Sequence, residues 1–328
     1  MYYLFMMENS LNSCIHWLMM FSAAAAAGAM TPPNVVLFVI DDYGHTDIGY
    51  HNIHFDNNLK TPNLDALSAS GIRLEQYYVQ PICTPTRSVL MSGRYQIHTG
   101  LQHGVIHPEQ PYSLPTSIPL LSNHLNSLGY VSHKVRPRTF LIAIPIPLRS
   151  LIFFLSLSPP NPAQVGKWHL GFYTNSSCPW NRGFGTQNGG SDLGYLGGME
   201  DYWTHYRKPG FDFRDNGIPD HDAATTINGD NKLYSTRLFR DRAVSIVENH
   251  SLAYGATGKP LFLYLPFQAV HSPLESVPFW QKQFNLSDFN GDTNRFTLAA
   301  MVAEMDHAVG KVVGAFQTAN MYDNTVRM

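Results

Sequence analysis

The feature that most constrains the fold is a continuous apolar run, Asn34-Val-Val-Leu-Phe-Val-Ile40, set between Pro32-Pro33 and Asp41-Asp42. A half-exposed strand would alternate polar and apolar residues; an unbroken β-branched run suits a strand buried on both faces. Such a strand needs helices above and below it, and the chain supplies them. Thr61 precedes Pro62 and an apolar-spaced stretch to Leu67, a helix start with Pro in its first turn and Thr as the expected cap. Ile118 to Leu128, stopped by Gly129, reads as a second helix, and Lys232–His250 and Asn294–Thr318 as two long ones. Pro260-Leu-Phe-Leu-Tyr-Leu-Pro266 is a second buried strand. This order predicts an α/β fold, a mostly parallel central sheet flanked by helices, with its ligand crevice beyond the carboxyl ends of the strands.

The charge balance narrows the partners. Net charge is -2 over 328 residues and no basic block occurs, which excludes nucleic acid and anionic membrane surfaces as expected partners. A small anionic substrate needs only a few local cations and is not excluded. At 44% apolar and 14% charged the chain folds, as one large domain or two ordinary ones.

Residues 1–30 read as a targeting segment. The apolar run Cys14–Ala23 leads into an alanine-rich stretch ending Ala27-Gly28-Ala29, although the front end carries Glu8 and no Lys or Arg. The expectation is a signal peptide over 1–30, with an N-terminal extension as the alternative. Sequons at Asn175, Asn249 and Asn285 agree with a secretory route. Of three cysteines, Cys14 falls in the leader, so Cys83 and Cys178 are too few to staple a secreted domain.

One stretch does not belong. Arg136–Val165 carries six prolines, and its apolar part, Phe140–Leu157, is long enough for a membrane span. Pro145, Pro147 and Arg149 interrupt it, so no stable span is expected.

Four constellations carry chemistry. Asp41-Asp42 ends a buried strand, where adjacent carboxylates repel unless a cation sits between them; a solvated turn is the plain alternative. Cys83-Thr-Pro-Thr-Arg87 places Pro85 in a first helical turn and Cys83 at a helix N-terminus, where N–H groups favour an anion. Arg87 can point back at the same place. A cysteine there is a low-pKa thiol, the precursor of another group, or structural. Gly166-Lys-Trp-His-Leu-Gly171 puts Lys167 and His169 two apart, on one face if extended, a cation beside a proton-transfer group or else a surface strand. His271 follows the second buried strand and so falls at the same sheet edge as Asp41.

Taken together these pieces resemble the sulfatase family. The matching stretches are PNVVLFVIDDYGHTDIGYHN, TPNLDALSASGIRLEQYYVQPICTPTRSVLMSGRYQIHTGLQH, VGKWHLGF and FLYLPFQAVHSPL, in the family's order. GLQHGVI and GKWHLGF are most similar to the arylsulfatase B branch. The resemblance implies an alkaline phosphatase/sulfatase-like fold and a sulfuric ester hydrolase of the lysosome or secretory route. It implies that Cys83 is oxidised to formylglycine by the formylglycine-generating enzyme. One hydroxyl of the aldehyde hydrate then attacks sulfur, and loss of the other's proton expels sulfate. It implies calcium held by Asp41, Asp42 and the oxygen at position 83. Arg87 would stabilise the hydrate, Lys167 hold sulfate oxygens, His169 assist the hydroxyl proton and His271 contact sulfate near the leaving group. The implied substrate is a sulfated carbohydrate or aryl sulfate, a glycosaminoglycan N-acetylgalactosamine sulfate foremost.

The chain departs from the family's pattern in places. Thr86 stands where the motif has Ser. Removing Arg136–Val165 leaves GYVSHKV-GKWHLGF, the expected join, so that stretch reads as an insert of the kind a retained intron or gene-model error introduces, and it could displace Lys167 and His169. The sequence stops at Met328, where the family begins a strand leading to an Asp-Asn pair that supplies further calcium ligands. This reads as an incomplete catalytic domain over 31–328. Cys178 is expected unpaired, because Glu109 and Ser113 stand where relatives carry its partner. Two rival readings follow: an inactive remnant, and a phosphatase or phosphodiesterase on the same fold, disfavoured because those usually place Ser or Thr at the nucleophile.

Overall fold

In the computed structural model the run at 34–40 becomes strand β1 (Asn34–Val39), and both its faces are covered. The structure describes residues 31–53, 58–131, 163–185, 193–198, 201–207, 210–215, 217–220, 234–255 and 257–328. The expected leader at 1–30 and the apolar stretch 140–157 lie outside them. Among the described residues no helix is long and apolar enough to cross a membrane.

The other strands are β2 (Ala163–Lys167), β3 (Leu193–Tyr195), β4 (Tyr206–Arg207), β5 (Gly210–Phe211), β6 (Phe213–Asp215), β7 (Ile218–Pro219), β8 (Phe262–Pro266) and β9 (Thr325–Arg327). Seven of them make one sheet in the order β7-β6-β3-β2-β8-β1-β9, while β4 and β5 form a separate pair. From β3 through β9 the neighbours run parallel; β6 is antiparallel to both its neighbours, β3 and β7. The mostly parallel α/β sheet is thus as expected.

Strand periodicity sorts the core. Val36, Leu263, Leu265, Ala163 and Val165 face the helices α4 (Ser235–Tyr254) and α5 (Thr293–Thr318). Leu37, Phe262 and Tyr264 face the opposite layer with Trp168, Phe184 and Met91 of α2 (Cys83–Ser92).

Local expectations fail where tertiary contacts override them. The helix expected from Ile118 is α3, only Leu121–Ser127, because Pro119 restricts the residue before it and offers no N–H. Helix α1 (Pro62–Ser70) starts after Thr61, but Thr61 does not cap it. The Thr61 hydroxyl donates to Asp65 Oδ1 (3.0 Å) and accepts the Gly49 N–H (2.7 Å). The cap comes instead from Asp306 on α5, whose carboxylate accepts the Asn63 N–H at 3.3 Å and the Leu64 N–H at 2.9 Å.

The register of β2 measures the insert. Val131 bridges to Leu261, and Ala163 pairs with Leu263. Two steps along the β8 side are therefore matched by thirty-two along the chain opposite, an excess of thirty residues between two positions that pair with neighbouring points of the same stretch. The excess equals the length of Arg136–Val165, but the boundary shifts: Ala163, Gln164 and Val165 belong to β2 and are buried in the sheet. Lys167 and His169 are not displaced. A chain lacking His133–Pro162 keeps this register and is expected to gain about 1–2 kcal/mol, because far fewer residues then separate the two paired positions, read as a higher urea midpoint. A lower midpoint would mean that the excess residues are part of the fold.

Candidate active site

Three parallel strand ends and one helix start meet at a point. Asp41 follows β1, Lys167 ends β2, His271 lies beyond β8, and Cys83 opens α2. This is the crevice at the carboxyl ends of the strands that an α/β sheet offers a ligand.

Asp41 is the centre. Lys167 Nζ donates to its Oδ2 at 2.5 Å, Arg87 Nη2 lies 3.4 Å from the same oxygen, and the Cys83 thiol donates to its Oδ1 at 3.3 Å. Lys167 also donates to Cys83 Sγ at 3.4 Å, and Arg87 donates to the Lys167 carbonyl at 2.9 Å. The Lys167 and Arg87 side chains are 0% and 2% exposed, so two full cations share one buried carboxylate. Burial alone would raise the Asp41 carboxyl, but Arg87 and Lys167 outweigh it and hold it well below the usual carboxylate range. Burial pushes the Cys83 thiol up, and Asp41 adds to that against the pull of Lys167 and Arg87. That direction runs against the low-pKa reading of Cys83.

Lys167 and His169 do not share the face of an extended strand. β2 stops at Lys167, and His169 takes a left-handed φ of 56°. The Thr84 hydroxyl fixes that turn by donating to the His169 carbonyl at 2.9 Å. Both side chains are buried, which rules out the surface-strand reading. Burial, with Lys167 and Arg87 nearby, holds the His169 imidazole well below its ordinary value, hence neutral. Its Nδ1 is buried without a hydrogen-bond partner among the described residues. Thr86 keeps the structural use of its hydroxyl, donating to Gln80 O (2.7 Å) and Ile82 O (2.8 Å) in the loop before Cys83.

Gly166 sets the height of Lys167. Its φ is 133°, and a Cβ there would stand 1.9 Å from the Pro266 carbonyl oxygen of β8. Gly166→Ala is expected to cost about 2–4 kcal/mol from backbone strain plus overpacking, measured by urea unfolding. A loss below about 0.5 kcal/mol, the range of a neutral surface change, would contradict the close approach.

Asp41, Cys83 and His271 each offer a ligand atom, all within 4.8 Å of one another. His271 Nδ1 is engaged with the Ser272 carbonyl at 2.7 Å, which leaves Nε2 toward the group. Asp42 is not in this group. Its φ is 50°, its side chain is 60% exposed, and its Oδ2 lies 3.3 Å from His271 Nε2. As thiol, carboxylate and imidazole the set fits a borderline divalent ion. Calcium takes about six to eight oxygens, more than Asp41, Asp42 and an oxygen at position 83 supply, so these residues alone do not fit calcium.

A family profile described as Sulfatase matches residues 33–141 and 161–326, breaking within the 136–165 stretch. The chain belongs to the sulfatase family. This sulfatase is 37% identical to arylsulfatase J of Mus musculus over 309 residues, 92% of this chain and 42% of that protein. It is 27% identical to N-acetylgalactosamine-6-sulfatase of Homo sapiens over 310 residues, 92% of this chain and 49% of that protein. The solved structure of Ps i-CgsB in complex with k-i-k-neocarrahexaose matches with a TM-score of 0.69 at 27% identity, covering 90% of this chain and 57% of that one. The sulfatase thus spans about half the length of the curated relatives it matches.

Some residues of this site carry no signal in the sequence. Tyr264 on β8 is a hydrogen-bond partner of Arg87, and Tyr202 donates to the His271 carbonyl at 2.8 Å. An inward tyrosine on a core strand carries no pattern that separates it from packing. Cys178 is buried, its thiol donating to the Thr174 carbonyl at 3.5 Å, beside a Ser113–Ser177 hydroxyl pair at 2.9 Å. Of the sequons, Asn175 and Asn285 are exposed, whereas Asn249 lies within α4 with its amide donating to Ser245 O at 2.7 Å.

Proposed function

We propose that this sulfatase hydrolyses sulfuric esters through a formylglycine made from Cys83, with a divalent cation, calcium by resemblance, beside Asp41. One observation carries the reading: a thiol that burial keeps protonated is held between a buried carboxylate and two buried cations. Such a cysteine is a poor nucleophile as it stands and makes sense as a precursor. Oxidised and hydrated, position 83 would offer two hydroxyls on one carbon, one to attack and one to deprotonate.

The chain's own residues then have separable tasks. Lys167 and Arg87 supply positive charge fixed in advance and shielded from water, where a sulfate's oxygens gain charge as the ester bond breaks. Neutral His169 accepts a hydroxyl proton. His271, with Nδ1 held by Ser272 O, presents Nε2 toward the ester oxygen. Asp42 joins the cation only if its exposed carboxylate turns inward.

The names of the relatives support a sulfated carbohydrate as substrate, an N-acetylgalactosamine sulfate foremost. Oxidation of Cys83 by the formylglycine-generating enzyme, glycans at Asn175 and Asn285, and a lysosomal or secreted destination complete the proposal. The test is hydrolysis of an aryl sulfate and an N-acetylgalactosamine sulfate by protein secreted from cells with an endoplasmic reticulum. Release of sulfate supports the reading; hydrolysis of the matching phosphate esters instead would replace it, and neither would favour an inactive remnant.

A further inference from the structure

His271 sits on the loop that follows β8, and its place depends on a turn elsewhere in the chain. The Tyr202 hydroxyl donates to the His271 carbonyl at 2.8 Å and to the Gln268 carbonyl at 3.3 Å. Tyr202 is buried and stacks on Tyr234, ring centroids 5.0 Å apart. The turn bearing Tyr202 is closed by Asp201, whose Oδ1 accepts the Trp203 N–H at 2.9 Å and the Thr204 N–H at 2.6 Å. Glu275, four residues after His271, joins the two pieces: its Oε2 accepts the Tyr202 N–H at 2.8 Å, and its carbonyl accepts the Tyr234 hydroxyl at 2.6 Å. The remaining contact is unusual. The Glu275 and Asp201 side chains also face each other, Asp201 raising the Glu275 carboxyl and Glu275 lowering that of Asp201, as when two acids share one proton.

We propose that Asp201 and Glu275 are positioning residues, a proton-sharing pair that holds His271 in place through Tyr202. Only what His271 then does rests on the sulfatase reading; the clamp itself does not. The ionisable groups acting on Glu275 are Asp201 and Tyr234, neither of them a cation, with Tyr202 supplying a backbone N–H. Tyr234 in turn faces Glu304 and Arg237, and Tyr202 also feels Asp41. Burial and the Asp201 hydrogen bond push the Glu275 carboxyl up to about 7, while Asp201 is lowered. The sign follows. Below that value Glu275 keeps its proton and donates to Asp201. Above it two carboxylates face each other and the loop bearing His271 loosens, so the site is aligned in acid and relaxed in alkali.

Glu275→Gln tests this, because the amide oxygen still accepts from Tyr202 while the NH₂ donates to Asp201 at every pH. The readout is amide hydrogen exchange of the peptide spanning 268–275, each rate divided by that of the variant at the same pH. The ratio is expected near one at pH ~5.5 and about tenfold at pH ~8, one unit above the carboxyl's value. Asp201→Asn should also abolish the pH dependence and serves if the first variant does not fold. A ratio that stays flat across this range overturns the clamp. On a sulfate ester, wild-type kcat should fall above pH ~7 with KM unchanged, and Glu275→Gln should extend the alkaline limb. No hydrolysis at all would count against the sulfatase reading and leave the exchange result to decide the clamp.

Discussion

Asp41→Ala is expected to lower unfolding stability by about 3–5 kcal/mol, the cost of removing one partner from a buried ion pair. The magnitude follows from what remains. Lys167 and Arg87 are held at 0% and 2% exposure, and their shared carboxylate is Asp41. Without it two cations stand together where solvent cannot reach, Lys167 left with the Cys83 thiol at 3.4 Å and Arg87 with the Lys167 carbonyl at 2.9 Å. Asp41→Asn keeps the shape and loses the charge, so most of the cost should persist. The pH dependence has a definite sign. A carboxylate depressed in the fold stabilises above its unfolded value and loses that effect as pH falls through its folded one. The gap between wild type and variant in urea is therefore constant from neutrality down to the ordinary value of 3.8 and shrinks below it. A gap under about 1 kcal/mol at pH 7 would mean the pair is solvated, as surface pairs are.

Cys83→Ala is expected to behave in the opposite way. The thiol donates one weak hydrogen bond to Asp41 and accepts one from Lys167, and both partners keep each other when it is gone. Stability should change by about 1 kcal/mol, the net worth of an ordinary hydrogen bond. Sulfate-ester hydrolysis should fall by on the order of a millionfold, as when a covalent nucleophile is deleted from a hydrolase. Activity that survives within tenfold would remove residue 83 from the chemistry.

How much of this was legible beforehand differs by residue. β1 and β8 were readable because each is an unbroken apolar run, and a strand buried on both faces leaves no other pattern. Asp41, Lys167 and His271 followed, since a parallel sheet collects its strand ends on one side. Adjacency hid a difference between the two acids: Asp41 is buried, whereas the Asp42 side chain is 60% exposed. The Thr61 cap failed because Asp306 arrives from a helix over 240 residues away, beyond any local rule. Lys167 and His169 would share a face only in an extended segment, and the left-handed turn at His169, fixed by Thr84 from another element, removes that condition. Tyr202, Asp201 and Glu275 left no trace in composition or spacing, since their partnership exists only in the folded chain.

The proposed hydrolysis depends on the chemistry of a single side chain. A mass spectrum of the tryptic peptide that contains Cys83, taken from protein passed through an endoplasmic reticulum, decides it. The expected peptide carries an aldehyde in place of the thiol, trapped as a hydrazone by a carbonyl reagent. Recovery of free cysteine alone, alkylated in full by iodoacetamide, would contradict it.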